Sequence, residues 1–335
     1  MEHIIEKWVE ETSSNPLWEF YFGDMKVGVL DIETTGLSPR YNQFILGGLY
    51  DVSRGEIHQV LAQSRDEEGE ALRSFMDLVG DFDVLVTYNG KSFDMPFLRD
   101  RCEKLGVSYS GLKPYHLDLY IILRSYSDLR SFLPNFKQKT VENFMGLWNT
   151  RSDEISGRES VELYNHYELT RDLIARDKIL LHNNDDVRQL FRLIASVNKC
   201  DINRGMRNYG FPIKVGEQFF VVEDSRIDRE TLVYSGRCSV DFAYSCYEVG
   251  SEVAEIRCQD GRFKFRLPLI CKQGLSVLDL DGLSMDSEPF RVYPIYSDGF
   301  VAVSDSKDEN DRVINHFARE FIRTLCELIL GEKIW

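Results

Sequence analysis

The 335-residue sequence has no CxxC pair, no apolar run near the length of a bilayer span, and no excess of positive charge. Each absence removes a class of protein. A membrane helix needs roughly 20 consecutive apolar residues, and no stretch approaches that. The seven cysteines (Cys102, Cys200, Cys238, Cys246, Cys258, Cys271, Cys326) are odd in number and scattered. That argues against a disulfide framework or a cysteine-rich metal site and leaves reduced thiols as the expectation. The opening Met1-Glu2-His3-Ile4-Ile5-Glu6 has neither the basic flank nor the apolar stretch of a secretory leader, so a cytoplasmic address is expected. A formal net charge of −15 excludes a protein that coats nucleic acid through a general basic surface. It leaves room for acids that hold divalent cations, with the cations meeting phosphate and a local basic strip guiding the chain.

At 43% hydrophobic and 28% charged residues, the chain can bury one large core or two smaller ones. Ile4, Ile5, Trp8 and Val9 recur at helical spacing, which predicts an amphipathic helix within an extension over 1–23. Apolar runs at 26–32, 43–51 and 56–63, the last two separated by Ser53-Arg54-Gly55, predict a three-stranded antiparallel meander. A helix follows, with Ala71, Leu72, Phe75, Met76 and Val79 on one face. Next come a strand over 83–88, a helix near 95–105, a strand around 115–119, and mainly helix to about Val197. After Asn198 the pattern turns to short β-type runs at 219–222, 253–258, 262–270, 276–280 and 292–296. Asp260-Gly261 marks a hairpin, and a final helix over 311–330 presents Val313, Phe317, Phe321, Leu325 and Leu328. Units of 24–197 and 198–335 are expected, the second a strand-rich α+β region of unknown role.

Three acidic segments stand out. Asp31-Ile32-Glu33-Thr34-Thr35-Gly36 ends a hydrophobic strand, where residues i and i+2 share a face. Asp31 and Glu33 therefore lie side by side, a costly pairing unless a cation joins them. Asn89-Gly90-Lys91-Ser92-Phe93-Asp94 leads from a strand end into a helix, which lets Asp94 face the first pair across neighbouring strands; it also suits a plain helix start. His182-Asn183-Asn184-Asp185-Asp186-Val187 places His182 and Asp186 one helical turn apart, with the imidazole suited to deprotonating a water.

The order DIETTG, NGKSFD, HNNDDV resembles the three exonuclease motifs of the DEDD superfamily, within the RNase H-like fold. The YprB-type branch is similar between the motifs too, at His116-Leu117-Asp118-Leu119, at 141–147 and at Asp153-Glu154-Ile155-Ser156-Gly157, the likeness covering about 24–196. It implies a metal-dependent 3′→5′ exonuclease on an α/β mixed sheet, three antiparallel strands plus parallel ones flanked by helices. Asp31, Glu33, Asp94 and Asp186 would be the metal ligands. Two divalent ions, Mg²⁺ or Mn²⁺, are implied, one held chiefly by Asp31, Asp94 and Asp186 and the other bridged by Asp31 and Glu33. His182 would be the general base. Histidine-type members usually place that base five residues before the last aspartate, whereas His182 precedes Asp186 by four. Tyr167 with Asp172, and Asp185, stay open as alternatives.

Substrate contacts are expected from Thr34 and Asn89, with Phe93, Phe97 or Leu98 wedging a terminal base unless these are core. Arg262, Lys264 and Arg266 alternate with apolar residues and form either a phosphate-guiding strip or a solvated strand face. His116 and Asp118 are expected to support the site indirectly. An RNase H-like endonuclease or resolvase, or a nucleic-acid-binding scaffold without catalysis, shares many of these features.

Overall fold

The computed structural model describes residues 1–10, 15–109, 114–147, 149–153, 155–249, 252–306 and 308–330. The chain divides into two compact units, Met1–Cys200 and Asp201–Trp335. Its first element is the strand β1 (Glu2–Lys7), followed by the short helix α1 (Pro16–Phe22) with Asn15 as its cap. The helix expected at the start is therefore corrected to a strand. Residues 2–7 pair antiparallel along the edge of the meander, from Glu2↔Leu61 to Lys7↔Glu56. Ile4 and Ile5 are β-branched and fit that ladder. The pairing satisfies an edge that would otherwise be open, while Glu2, Glu6 and Lys7 put charge on the new one.

The meander forms as expected: β2 (Val27–Thr34), β3 (Phe44–Asp51) and β4 (Glu56–Leu61). Then come α2 (Glu68–Val79), β5 (Val84–Thr87), α3 (Asp94–Leu105), β6 (Tyr115–Asp118), α4 (Leu119–Ser125), α5 (Gln138–Phe144), α6 (Gly157–Thr170) and α7 (Leu173–Leu193). The sheet order is β1-β4-β3-β2-β5-β6, with β2, β5 and β6 parallel to one another and the remaining pairs antiparallel. This is the mixed sheet flanked by helices that the α/β reading requires. Leu30 and Ile32 enter a core with Phe75, Phe97 and Leu98, so by strand alternation Asp31 and Glu33 face the opposite layer. There Ile45, Leu46 and Leu61 pack against Tyr164, Tyr167 and Ile179 of α6 and α7.

One close approach sets how α7 meets the sheet. Gly48 pairs with Asp31, and a Cβ there would lie 2.2 Å from Asn183 Oδ1. The missing side chain is the slot into which Asn183, fully buried on α7, fits. Asn183 Nδ2 donates to Asp31 Oδ2 at 3.0 Å, and its Oδ1 accepts from Gln59 Nε2 at 3.0 Å. Gln59 also donates to Leu180 O at 2.8 Å. Helix and sheet are thus joined by a polar network beside the first acidic motif.

The second unit holds α8 (Ile202–Tyr209), β7 (Phe211–Val215), β8 (Gln218–Asp228), β9 (Thr231–Cys238), β10 (Phe242–Val249), β11 (Glu252–Gln259), β12 (Arg262–Pro268), β13 (Ile270–Lys272), β14 (Leu275–Asp279), β15 (Tyr296–Ser297), β16 (Phe300–Ser304) and α9 (Asp311–Leu330). Its sheets run β10-β11-β12-β9-β8-β7 and β13-β14-β16-β15. The Asp260-Gly261 hairpin is present, with φ of 55° and 69° at its two corners, as a two-residue turn of that hand requires. The run expected over 262–270 breaks into β12 and β13, and the one over 292–296 is corrected to turns that reach a strand only at Tyr296. On α9, Val313, Phe317, Phe321 and Leu325 are buried, but Leu328 is exposed. Cys102, Cys200, Cys238, Cys258, Cys271 and Cys326 are free thiols; the Cys246 side chain and Glu154 lie outside the described residues. Among the described residues, no helix is long and apolar enough to cross a membrane.

Gly48→Ala is expected to lower stability by about 1–3 kcal/mol, the usual cost of overpacking, measured by denaturant unfolding. An unchanged midpoint would show that α7 does not depend on this slot.

Candidate active site

β2 delivers Asp31 and Glu33 to the α7 side of the sheet, the first half-buried and the second buried. Asp94 opens α3 and is buried, and its carboxylate accepts hydrogen bonds from its own amide and from that of Ile32. It is held there by the turn before it. Asn89 adopts φ of 62°, and the buried Asp118 accepts from Asn89 N at 2.8 Å and Lys91 N at 2.9 Å. His116 bonds Thr87 Oγ1 at 2.7 Å. Burial, then the nearby Lys91, push the His116 imidazole down to about 4, a structural rather than a proton-transfer group. Both residues therefore act on the site through the strand and loop that carry it.

The third segment spends every side chain from 182 to 186 on a different partner. His182 Nδ1 lies 2.7 Å from Asp153 Oδ2, and Asn183 meets Asp31. Asn184 donates to Glu6 Oε2 at 2.7 Å. Asp185 Oδ2 accepts from Ser152 N at 2.5 Å and Asp153 N at 2.7 Å, so it fastens a loop and is not an alternative acid at the site. Asp186 Oδ1 pairs with Arg151 Nη2 at 2.6 Å. The other open alternative also resolves as structure: Tyr167 is core, and Asp172 caps α7 by accepting from Ile174 N at 2.9 Å.

Around these residues, Glu33 Oε1 and Asp186 Oδ2 stand 3.7 and 3.6 Å from His182 Nε2. Glu33, His182 and Asp186 offer ligand atoms within 4.8 Å of one another, a group able to hold a metal ion. The electrostatics match crowded acids. Burial, then Asp186, Asp94 and Glu33, hold the Asp31 carboxyl well above the usual carboxylate range. Burial raises Glu33 to about 7, with His182 opposing and Asp186 adding to the rise. Asp94 also reaches about 7, through burial against the pull of its backbone hydrogen bonds. Asp186 is raised by burial and restrained by Arg151 and His182. For His182, burial alone would lower its affinity for a proton; Asp153, Glu33 and Asp186 outweigh it.

Asp31, Glu33 and Asp186 line a groove of about 860 Å³, together with Thr34, Leu37, Phe93, Lys137, Lys139, Arg151 and Arg158. Thr34 Oγ1 donates to Gly36 O at 2.9 Å. Phe97 is 1% exposed and Leu98 fully buried, so both are corrected from wedge to core; Phe93 alone of the three lines the groove. The sequence reading missed the rim cations, the Arg151–Asp153 support and Asn183. Asp153 stood in sequence only within a segment of family resemblance and Arg151 had no signal at all, since a loop brings both in. Arg262, Lys264 and Arg266 lie on β12 of the second unit, where Arg262 pairs with Glu223 at 3.5 Å and Arg266 with Glu255 at 3.4 Å.

Fold and site together define a mixed α/β domain built around a buried acidic cluster. A family model described as the RNase_H superfamily matches residues 29–198, just over half of the chain, and the chain belongs to that superfamily. It is 24% identical over 162 residues to DNA polymerase 1 of Sulfurisphaera ohwakuensis, covering 43% of this chain and 18% of the polymerase. It is 33% identical over 87 residues to the DNA polymerase of Thermococcus kodakarensis, covering 19% of this chain and 5% of that one. The chain thus spans less than a fifth of these relatives. A solved family B DNA polymerase from Pyrobaculum calidifontis aligns with a TM-score of 0.44 at 23% identity, over 56% of this chain and 25% of that chain.

Because the folded state raises Glu33 and Asp94 toward 7, their stabilising contribution is complete below their unfolded pKa values and is lost as pH rises through the folded ones. In chelator, the melting temperature is expected to fall by on the order of 5 °C between about pH 5 and pH 8, and Mn²⁺ should reverse the fall. A melting profile that is flat with pH and indifferent to Mn²⁺ would contradict this electrostatic account.

Proposed function

We propose that this chain is a metal-dependent 3′→5′ exonuclease of the DEDD type, akin to the YprB-type branch, acting on nucleic acid with a free 3′ end. The observation that carries the reading is the convergence of Asp31, Glu33 and Asp186 on one groove, with the buried Asp94 close enough to add to the mutual repulsion that, with burial, works against their ionised forms. Four crowded acids restrained mainly by Arg151 and His182 fit divalent cations, and hard oxygen donors suit Mg²⁺ or Mn²⁺. Asp31, Glu33, Asp94 and Asp186 would hold two such ions, which when bound supply an acidified water and charge against the departing oxygen.

The remaining residues account for substrate. Lys137, Lys139 and Arg158 line the acidic groove and meet phosphates there, the local basic strip that a net charge of −15 demands. Phe93 offers a face to a terminal base, and Asn89 and Thr34 flank the sugar–phosphate. Groups able to take the water's proton are the carboxylates that burial already drives toward protonation and, where its Nε2 holds no ion, His182. On the second unit, Arg262, Lys264 and Arg266 enter the proposal as a further phosphate-contacting strip. The relatives are named DNA polymerases, which supports a nucleic-acid substrate, and a cytoplasmic setting belongs to the same proposal.

A 5′-labelled single-stranded oligonucleotide, DNA and RNA in parallel, tests this with Mn²⁺, Mg²⁺ or EDTA. The expected result is a metal-dependent ladder shortening from the 3′ end, slowed on the order of 100-fold or more by Asp31→Asn. A circular substrate should survive. Cutting of the circle would make the protein an endonuclease, and binding without cutting would make it a scaffold.

A further inference from the structure

We propose that His182 is a metal ligand: its Nε2 completes a mixed nitrogen–oxygen cation site with Glu33 and Asp186, and Asp153 is the positioning residue that aims it. The inference rests on reading the acidic cluster as a cation centre and deepens that reading by assigning a nitrogen donor.

The imidazole is 4% exposed, and its two nitrogens do different things. Nδ1 lies 2.7 Å from Asp153 Oδ2. An ionised carboxylate only accepts, so Nδ1 carries a hydrogen, and Nε2 is the nitrogen whose lone pair a cation would take in place of a second proton. Nε2 faces Glu33 Oε1 at 3.7 Å and Asp186 Oδ2 at 3.6 Å, beyond hydrogen-bonding distance from both. Nε2 is thus the atom aimed between the two carboxylate oxygens. A cation shared by Glu33 and Asp186 meets that lone pair directly.

The support behind the ring is as closely built as the site. The Asp153 side chain is 1% exposed and is held by Arg151 Nη1 at 3.0 Å. Arg151 in turn grips Glu142 through two nitrogens, at 2.7 and 2.8 Å. Asp185 fixes the backbone of the same loop through the amides of Ser152 and Asp153. A carboxylate on the far nitrogen of an imidazole is the usual way a metal-bound histidine is oriented. The sequence agrees: four residues separate His182 from Asp186, which stacks them on one helix face, and a fifth residue would turn the ring away by about 100°. A nitrogen in the donor set favours a first-row ion such as Mn²⁺ over Mg²⁺, which prefers oxygen throughout.

The full chain loaded with Mn²⁺ and carrying isotope-labelled histidine tests the assignment by pulsed electron paramagnetic resonance. The expected result is a directly coordinated nitrogen coupling that His182→Gln abolishes. Asp153→Asn, with an unchanged circular dichroism spectrum, should weaken Mn²⁺ binding about 10-fold. Bound Mn²⁺ without nitrogen coupling, or coupling that survives His182→Gln, overturns the ligand role and leaves the cation centre standing. Absence of any bound Mn²⁺ overturns both.

Discussion

The site depends on one contact, Asn183 of α7 seated in the space that Gly48 leaves beside Asp31. Sheet and helix are separately ordinary; the polar contact between them brings the candidate site residues together. Asn183 bonds the Asp31 carboxylate and, through Gln59, the strand two places away. With α7 fixed there, the turn below brings His182 to Glu33, and the residues above bring Asp186 into the same groove. A helix displaced by even one side-chain width would separate the acids of the proposed cation centre.

That placement carries an electrostatic penalty, visible in the upward drive on Asp31, Glu33 and Asp94. A fold tolerates such crowding where a ligand of opposite charge relieves it. Arg151 relieves part of it at Asp186, and Lys137, Lys139 and Arg158 line the same groove. The protein as a whole is acidic, so under the proposed function phosphate would be met by local basic residues and not by a general basic surface.

Much of this was legible in the sequence, and the exceptions have physical reasons. The alternation Leu30-Asp31-Ile32-Glu33 announces a strand with a core face and an acidic face, and the three motifs name the acids before any geometry is known. The start of the chain misleads, because Ile4, Ile5, Trp8 and Val9 fit a helix but an open sheet edge takes residues 2–7 as a strand. Phe97 and Leu98 follow the second acidic segment closely and still belong to the core, since helix rotation turns them inward. Asp153 and Arg151 were invisible as site residues because a loop delivers them from about 30 residues before α7's acidic run, without periodicity. Gly48 reads in sequence as one half of a glycine pair in a strand; its meaning appears only when Asn183 fills the space.

The central claim is that these acids form a cation centre. Diffraction from crystals soaked in Mn²⁺, recorded to give the anomalous signal of the metal, addresses it most directly. The account predicts anomalous density in the groove among Asp31, Glu33, Asp94 and Asp186, lost in Asp31→Asn. Density confined to the protein surface, with the four carboxylates unbound, would contradict it.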